Sequence, residues 1–255
     1  MRRTDPPRGR EPGRVAAPLA LLSVPAWLLL ALGSGGIAVP ELCSSALLWS
    51  VPSVEGLRYA FTFVAPQVLA MGWGLMVAAM MLPTLAGTLG YVRARSLGRL
   101  RGRLVALVIC GYLAVWLAAG PVMLALALAL HLAAPGGGQV FIAALAVALL
   151  WQVSPWKQAA LNRCHRRPAI AAFAPEAYGD ALRLGLGTGL WCLQSCWALM
   201  LASLLAPGWH FAAMAVVALF IWAERLEPPR PPAWRLRAPL RAWRLASFRL
   251  ASVGR

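Results

Sequence analysis

The chain has 255 residues, of which 60% are hydrophobic and 13% charged, and its formal net charge is +16. Soluble domains have about a quarter of their residues charged, so this chain lacks the polar side chains to cover a globule of its size. The composition excludes an ordinary soluble fold and points to an all-α, polytopic transmembrane helix bundle of about six spans.

A helix needs about 20 apolar residues to cross ~30 Å of hydrocarbon. A basic cytoplasmic N-terminus, residues 1–14, precedes an uncharged first span at 15–39. That run is longer than a signal-peptide core and no small-x-small site precedes Glu41, so it reads as a retained anchor. The second segment, 61–92, is also uncharged, and its start near Pro66 is expected at the interface. Pro83 removes a helical hydrogen bond and should kink this span, with Thr84 placed to recover a freed carbonyl. The third segment, 104–134, carries Gly120-Pro121, from which a second kink is expected. Segments 140–156, 184–205 and 209–223 follow, the last short and starting within the turn at 206–208. Residues 61–226 thus form a five-span unit, followed by a Pro- and Arg-rich cytoplasmic tail at 227–255. The tail carries Trp234, Leu240, Trp243 and Phe248 among arginines, a pattern that suits anionic headgroups as well as a solvated segment.

The loops set the orientation. All but one of the 24 basic residues fall in the N-terminus, the second–third loop, the fourth–fifth loop or the tail, and only Arg58 falls on the opposite side. Cytoplasmic loops retain Arg and Lys, so both termini are expected inside, in a bacterial cytoplasmic (inner) membrane. Lys157 is the only lysine, and arginine over lysine with heavy Ala, Gly and Pro fits a GC-rich bacterium. The basic residues are dispersed between apolar runs instead of forming one basic domain, so the expected partner is the lipid bilayer and not nucleic acid. Five cysteines, an odd number spread over spans and loops, read as mostly free thiols.

Two stripes carry chemistry. The second span holds Met71, Met76, Met80 and Met81, ending in Met-Met-Leu-Pro. The fifth holds Gly185, Gly189, Cys192, Cys196 and Met200 near one helical face, with the two cysteines one turn apart. The topology puts both stripes at similar depth, and thiolate with thioether favours Cu(I) over hard cations. The alternative is a non-metal structural membrane subunit, in which Gly185, Gly189, Cys192, Cys196 and Ser203 line a packing seam and the methionines fill gaps. In the fourth–fifth loop Cys164 and His165 are adjacent, but two ligands do not make a structural zinc site. His131 and His210 fall near the outer surface. No Asp, Glu, Lys or Arg lies within a predicted span and no catalytic motif is found, so the chain is not expected to be an enzyme.

Met80-Met81-Leu-Pro83, Gly111-Tyr112-Leu-Ala-Val-Trp116, Ser154-Pro155-Trp-Lys157 with Cys164 and Pro168, and the block from Leu184 through Cys192 and Cys196 to Met200 resemble a bacterial membrane family. It is the domain of unknown function 2182 family, described as a predicted metal-binding integral membrane protein, with copper handling suggested for some members. The resemblance covers roughly residues 68–226, including Ala223-Glu-Arg-Leu226 where the family has Leu-Glu-Lys. Family members usually have Arg-His where Gly187-Thr188 stand, and Gly-Cys-Cys where Gln194-Ser195-Cys196 stand. They often have a Cys and a His where this chain has Ala160 and Arg163. The resemblance implies a soft metal ion, Cu(I), as cofactor or cargo of a chaperone or transport accessory. The candidate ligands are Cys192, Cys196, Met76, Met80, Met81 and Cys164.

Overall fold

A computed structural model describes residues 12–34, 66–133, 138–206, 209–236 and 238–241. Cys43, Arg58 and most of both basic ends lie outside these residues. The described part is helical: α1 (Pro12–Ser34), α2 (Pro66–Met80), a 3-10 turn (Leu82–Leu85), α3 (Ala86–Arg95), α4 (Arg101–Ala133), α5 (Gly138–Val153), α6 (Pro155–Cys164), α7 (Glu176–Leu204) and α8 (His210–Arg225). By length and apolarity α4 and α7 can each cross a membrane, and four spans result if the bent pairs α2–α3 and α5–α6 each count as one. The apolar stretch Leu21–Leu32 of α1 and the 16-residue α8 are shorter.

The two bends have sequence causes. Pro83 has no N–H, so the helix ends at Met81 N donating to Val77 O at 2.9 Å, and Thr84 N instead bonds Met81 O at 3.1 Å in a tighter turn. The axis turns by 48°. Three successive carbonyls at the bend accept side-chain hydrogen bonds, and α1, α8 and α4 each supply a donor. Ala79 O accepts from Ser23 Oγ at 2.8 Å and Trp27 Nε1 at 3.1 Å, both on α1. Met80 O accepts from Trp222 Nε1 of α8 at 2.7 Å. Met81 O accepts from Thr84 Oγ1 at 2.7 Å and lies 3.3 Å from the Tyr112 hydroxyl of α4. A buried orphan carbonyl is costly, so this kink ties α1, α4 and α8 together. At the second bend Ser154 caps α6, its Oγ accepting from Lys157 N at 3.2 Å, with Pro155 at the first helical position. α5 and α6 meet at 67°.

The expected kink at Gly120-Pro121 does not break α4, which is helical from end to end. Gly120 leaves room that the Trp73 indole occupies, a Cβ there falling 2.7 Å from the ring, and Trp73 Nε1 donates to Trp116 O at 2.7 Å. Packing from a neighbouring helix thus holds the backbone around the proline.

The core seam is the α4–α7 contact. A Cβ on Gly185 would stand 2.3 Å from Val108 O, and one on Gly111 would stand 2.9 Å from Leu182 O. A Cβ on Gly189 would meet Val115 Cβ at 3.0 Å. Three glycines on facing stripes let two backbones touch, as small residues do where no hydrophobic drive separates lipid from helix. α7 begins at Glu176, eight residues before its predicted apolar start, so Asp180 and Arg183 lie on this helix and not in a loop.

Candidate metal site

Cys192 and Cys196 continue the glycine face of α7 and are buried, as is Cys164 at the end of α6. The Cys192 sulfur lies 3.3 Å from the Tyr112 hydroxyl. Cys196 Sγ donates to Cys192 O at 3.0 Å, and Ser195 Oγ donates to the same carbonyl at 2.8 Å. The Cys196 thiol is therefore turned back on its own helix, while the Cys192 thiol faces α4.

Met76, Met80 and Met81 are all buried at or before the α2 kink. Their link to the thiols runs through Tyr112, whose hydroxyl is within 3.3 Å of both Met81 O and Cys192 Sγ and 3.1 Å from Thr84 Oγ1. α2 packs chiefly on α1 and α4, and α4 packs chiefly on α7, so the methionine and cysteine stripes meet across α4.

The residue the sequence reading missed is Arg225. It is the last residue of α8, two beyond the predicted end of that span. Helical Cα–Cβ bonds tilt toward the N-terminus, so a long side chain at the C-terminal end reaches back into the bundle. The guanidinium lies beside the Cys192 and Cys164 thiols, within electrostatic reach of Tyr112 and Cys196. Its Nε and Nη2 are buried without a hydrogen-bond partner. Charged side chains from just outside the predicted spans thus enter the bundle, here and at Lys157 and Glu224. Those two form an ion pair with side-chain exposures of 4% and 14%, and Lys157 sits 5.5 Å from the Phe220 ring centre. Each of these backbones lies at an apolar segment's edge, just outside the uncharged span interior.

His165, adjacent to Cys164, has both ring nitrogens at carbonyls: Nδ1 is 2.9 Å from Leu161 O and Nε2 is 3.2 Å from Arg225 O. It fastens the end of α6 to the end of α8 and so places Cys164 beside Arg225. His210 lies far along the chain from this cluster, its Nδ1 2.6 Å from Ser203 O. Arg167 Nη1 donates to Cys164 O at 3.3 Å. Burial, and then the charge of Arg225, lower the Arg167 pKa from the usual arginine value.

A family model described as PpoB2, copper chaperone, matches residues 70–241, well over half of the chain. The chain belongs to this copper chaperone family. No curated protein and no solved structure matches it.

For a copper chaperone, the donor set is soft: three thiols with buried thioethers nearby, and a cation among them. Among the described residues no three His, Cys, Asp or Glu side chains converge as a metal cluster. Cu(I) does not need three such ligands, because this closed-shell ion is held by two thiolates, with a thioether as an optional third donor. Two thiolates on Cu(I) would carry one net negative charge, which a positive charge such as that of Arg225 would match. Thr188 and Ser195, where the resemblance implies His and Cys, are both buried, and Ser195 is spent on the Cys192 carbonyl.

Proposed function

We propose that this copper chaperone is a six-span protein of the bacterial inner membrane, with both termini in the cytoplasm, that carries Cu(I) as cargo on Cys192. Cys164 or Cys196 supplies the second thiolate, and the buried Met80 or Met81 is the source of a thioether. It is not an enzyme. The observation that carries the reading is Arg225, a buried guanidinium with two unpartnered nitrogens beside two thiols. An uncompensated buried charge is strongly unfavourable, and an anionic Cu(I)–thiolate pair would compensate it. The packing-seam alternative accounts for Gly111, Gly185 and Gly189 but gives no reason for a cation at the thiols. The six-span count rests on the six apolar segments, each of which contains a helix, together with the arginine distribution. Copper content of the purified protein, with and without the cysteines, tests the proposal.

A further inference from the structure

On the arginine-rich side of the thiols lies a cavity of about 580 Å³, lined by Arg163, Arg166, Arg167 and Arg183 with Asp180 and Thr188. Its size falls within the roughly 300–1,000 Å³ of small-molecule sites. Three of the arginines flank Cys164 in sequence, and Thr188 stands one helical turn from Cys192 on α7. The cavity wall also touches the Cys164 backbone, since Arg167 Nη1 donates to Cys164 O at 3.3 Å. Its charge is unbalanced. The ion pairs among the described residues are Lys157–Glu224 and Arg230–Glu227, neither of them here. The single carboxylate, Asp180, accepts from Ala171 N at 3.0 Å. Arg163 lies over the Trp191 ring at 4.2 Å, which holds its guanidinium at the wall.

We propose that this cavity is an entry vestibule for copper arriving as an anionic Cu(I) complex of low-molecular-weight thiolates, and not as the bare cation. The inference rests on the copper-binding reading above. A concave surface of one charge sign concentrates ions of the opposite sign and repels its own, so four guanidinium groups disfavour free Cu(I). A bis-thiolate complex, RS–Cu–SR with net charge −1, is attracted. Transfer is then ligand exchange without redox change. Two Cu–S bonds to the carrier break and two to protein cysteines form, and the two cysteine protons leave on the carrier as two RSH molecules. The complex formed on the protein again carries −1. That charge passes from the exposed arginines of the vestibule to the buried Arg225.

The test uses the full chain in detergent with a non-thiol reductant, loaded from anionic Cu(I)–glutathione or from cationic Cu(I)–acetonitrile. Initial uptake rate and final copper per protein are both read. The variant R163Q/R166Q/R183Q should load from Cu(I)–glutathione about tenfold more slowly than wild type, in line with steering effects of that order. Its final copper content and its rate from Cu(I)–acetonitrile should not fall. The control R95Q/R99Q, which removes two exposed arginines from elsewhere, should match wild type. Wild-type uptake from Cu(I)–glutathione should also slow as salt is raised, a result that needs no variant. Salt-independent uptake, or a triple variant equal to wild type or slowed equally with both donors, overturns the vestibule and leaves copper binding standing. Wild type that takes copper from neither donor removes the copper-binding reading, and the vestibule with it.

Discussion

The Tyr112 hydroxyl stands 3.3 Å from the Cys192 sulfur, and through this hydroxyl α4 bridges the kink after α2 and the thiol-bearing α7. The same oxygen lies 3.3 Å from Met81 O and 3.1 Å from Thr84 Oγ1. Thr84 already donates to Met81 O, so Tyr112 is the donor in its contact with Thr84, and its one hydrogen is shared among Thr84 Oγ1, Met81 O and the Cys192 sulfur. Tyr112→Phe should keep the ring packing and lose these bonds. We expect a loss of about 1–2 kcal/mol in stability, with the copper content unchanged. Thermal unfolding in detergent measures the first and metal analysis the second. An unchanged midpoint would show that the hydroxyl does not tie α4 to the kink.

The α4–α7 seam predicts a contrast between two glycines two residues apart, on different faces of α7. Gly185→Ala forces a Cβ to 2.3 Å from Val108 O, whereas Gly187 has nothing within 4 Å of its added Cβ. Gly185→Ala should destabilise by about 1–3 kcal/mol, as overpacking does. Gly187→Ala should be neutral or slightly stabilising, since alanine is the better helix former. Equal unfolding midpoints for the two variants would mean that the helices do not approach this closely.

The buried ion pair gives a test by double substitution. Lys157→Met alone leaves Glu224 largely buried without its ion-pair partner and should cost about 3–5 kcal/mol. Adding Glu224→Leu should restore most of that loss, because no charge is then left uncompensated. A double variant as unstable as the single one would show that the pair is held by solvent and not by burial.

Much of the fold was legible in the sequence for a simple reason: spans are read from uninterrupted apolar composition, and each apolar segment contains a helix. Pro83 and Thr84 announced the first bend, since a missing N–H and a hydroxyl one residue on have few other uses. Pro121 stands in a helix that continues through it, with Trp73, distant in the chain, filling the space above Gly120. The site was half legible. Cys192 and Cys196 show themselves by their one-turn spacing, and Cys164 by the family pattern. Arg225 was hidden because its backbone lies two residues beyond the predicted end of the last span, and only the backward tilt of a helical side chain brings it to the thiols. The signal that would have found it is the Ala-Glu-Arg-Leu motif itself, a charged pair placed directly at the end of an apolar helix.

Orientation follows from the arginines. Reporter fusions after Arg95, after Arg167 and at Arg255 should report the cytoplasm, and fusions near Ser53 or Gly137 the opposite side. An outer-side signal at Arg255 would remove the six-span arrangement, and with it the cytoplasmic placement of the vestibule.

The copper site itself is tested most directly by copper per protein, measured after identical reductive loading and washing of wild type and the Cys192→Ser/Cys196→Ser variant. Ser is close to Cys in size, and Ser195 already sits between the two on α7 with its hydroxyl bonded to the Cys192 carbonyl, so the fold should survive. The account predicts about one Cu(I) per wild-type chain and none retained by the double variant, since Cys164 alone cannot supply the two thiolates the ion needs. Equal copper in both proteins, including none in either, would contradict a Cu(I) site at Cys192.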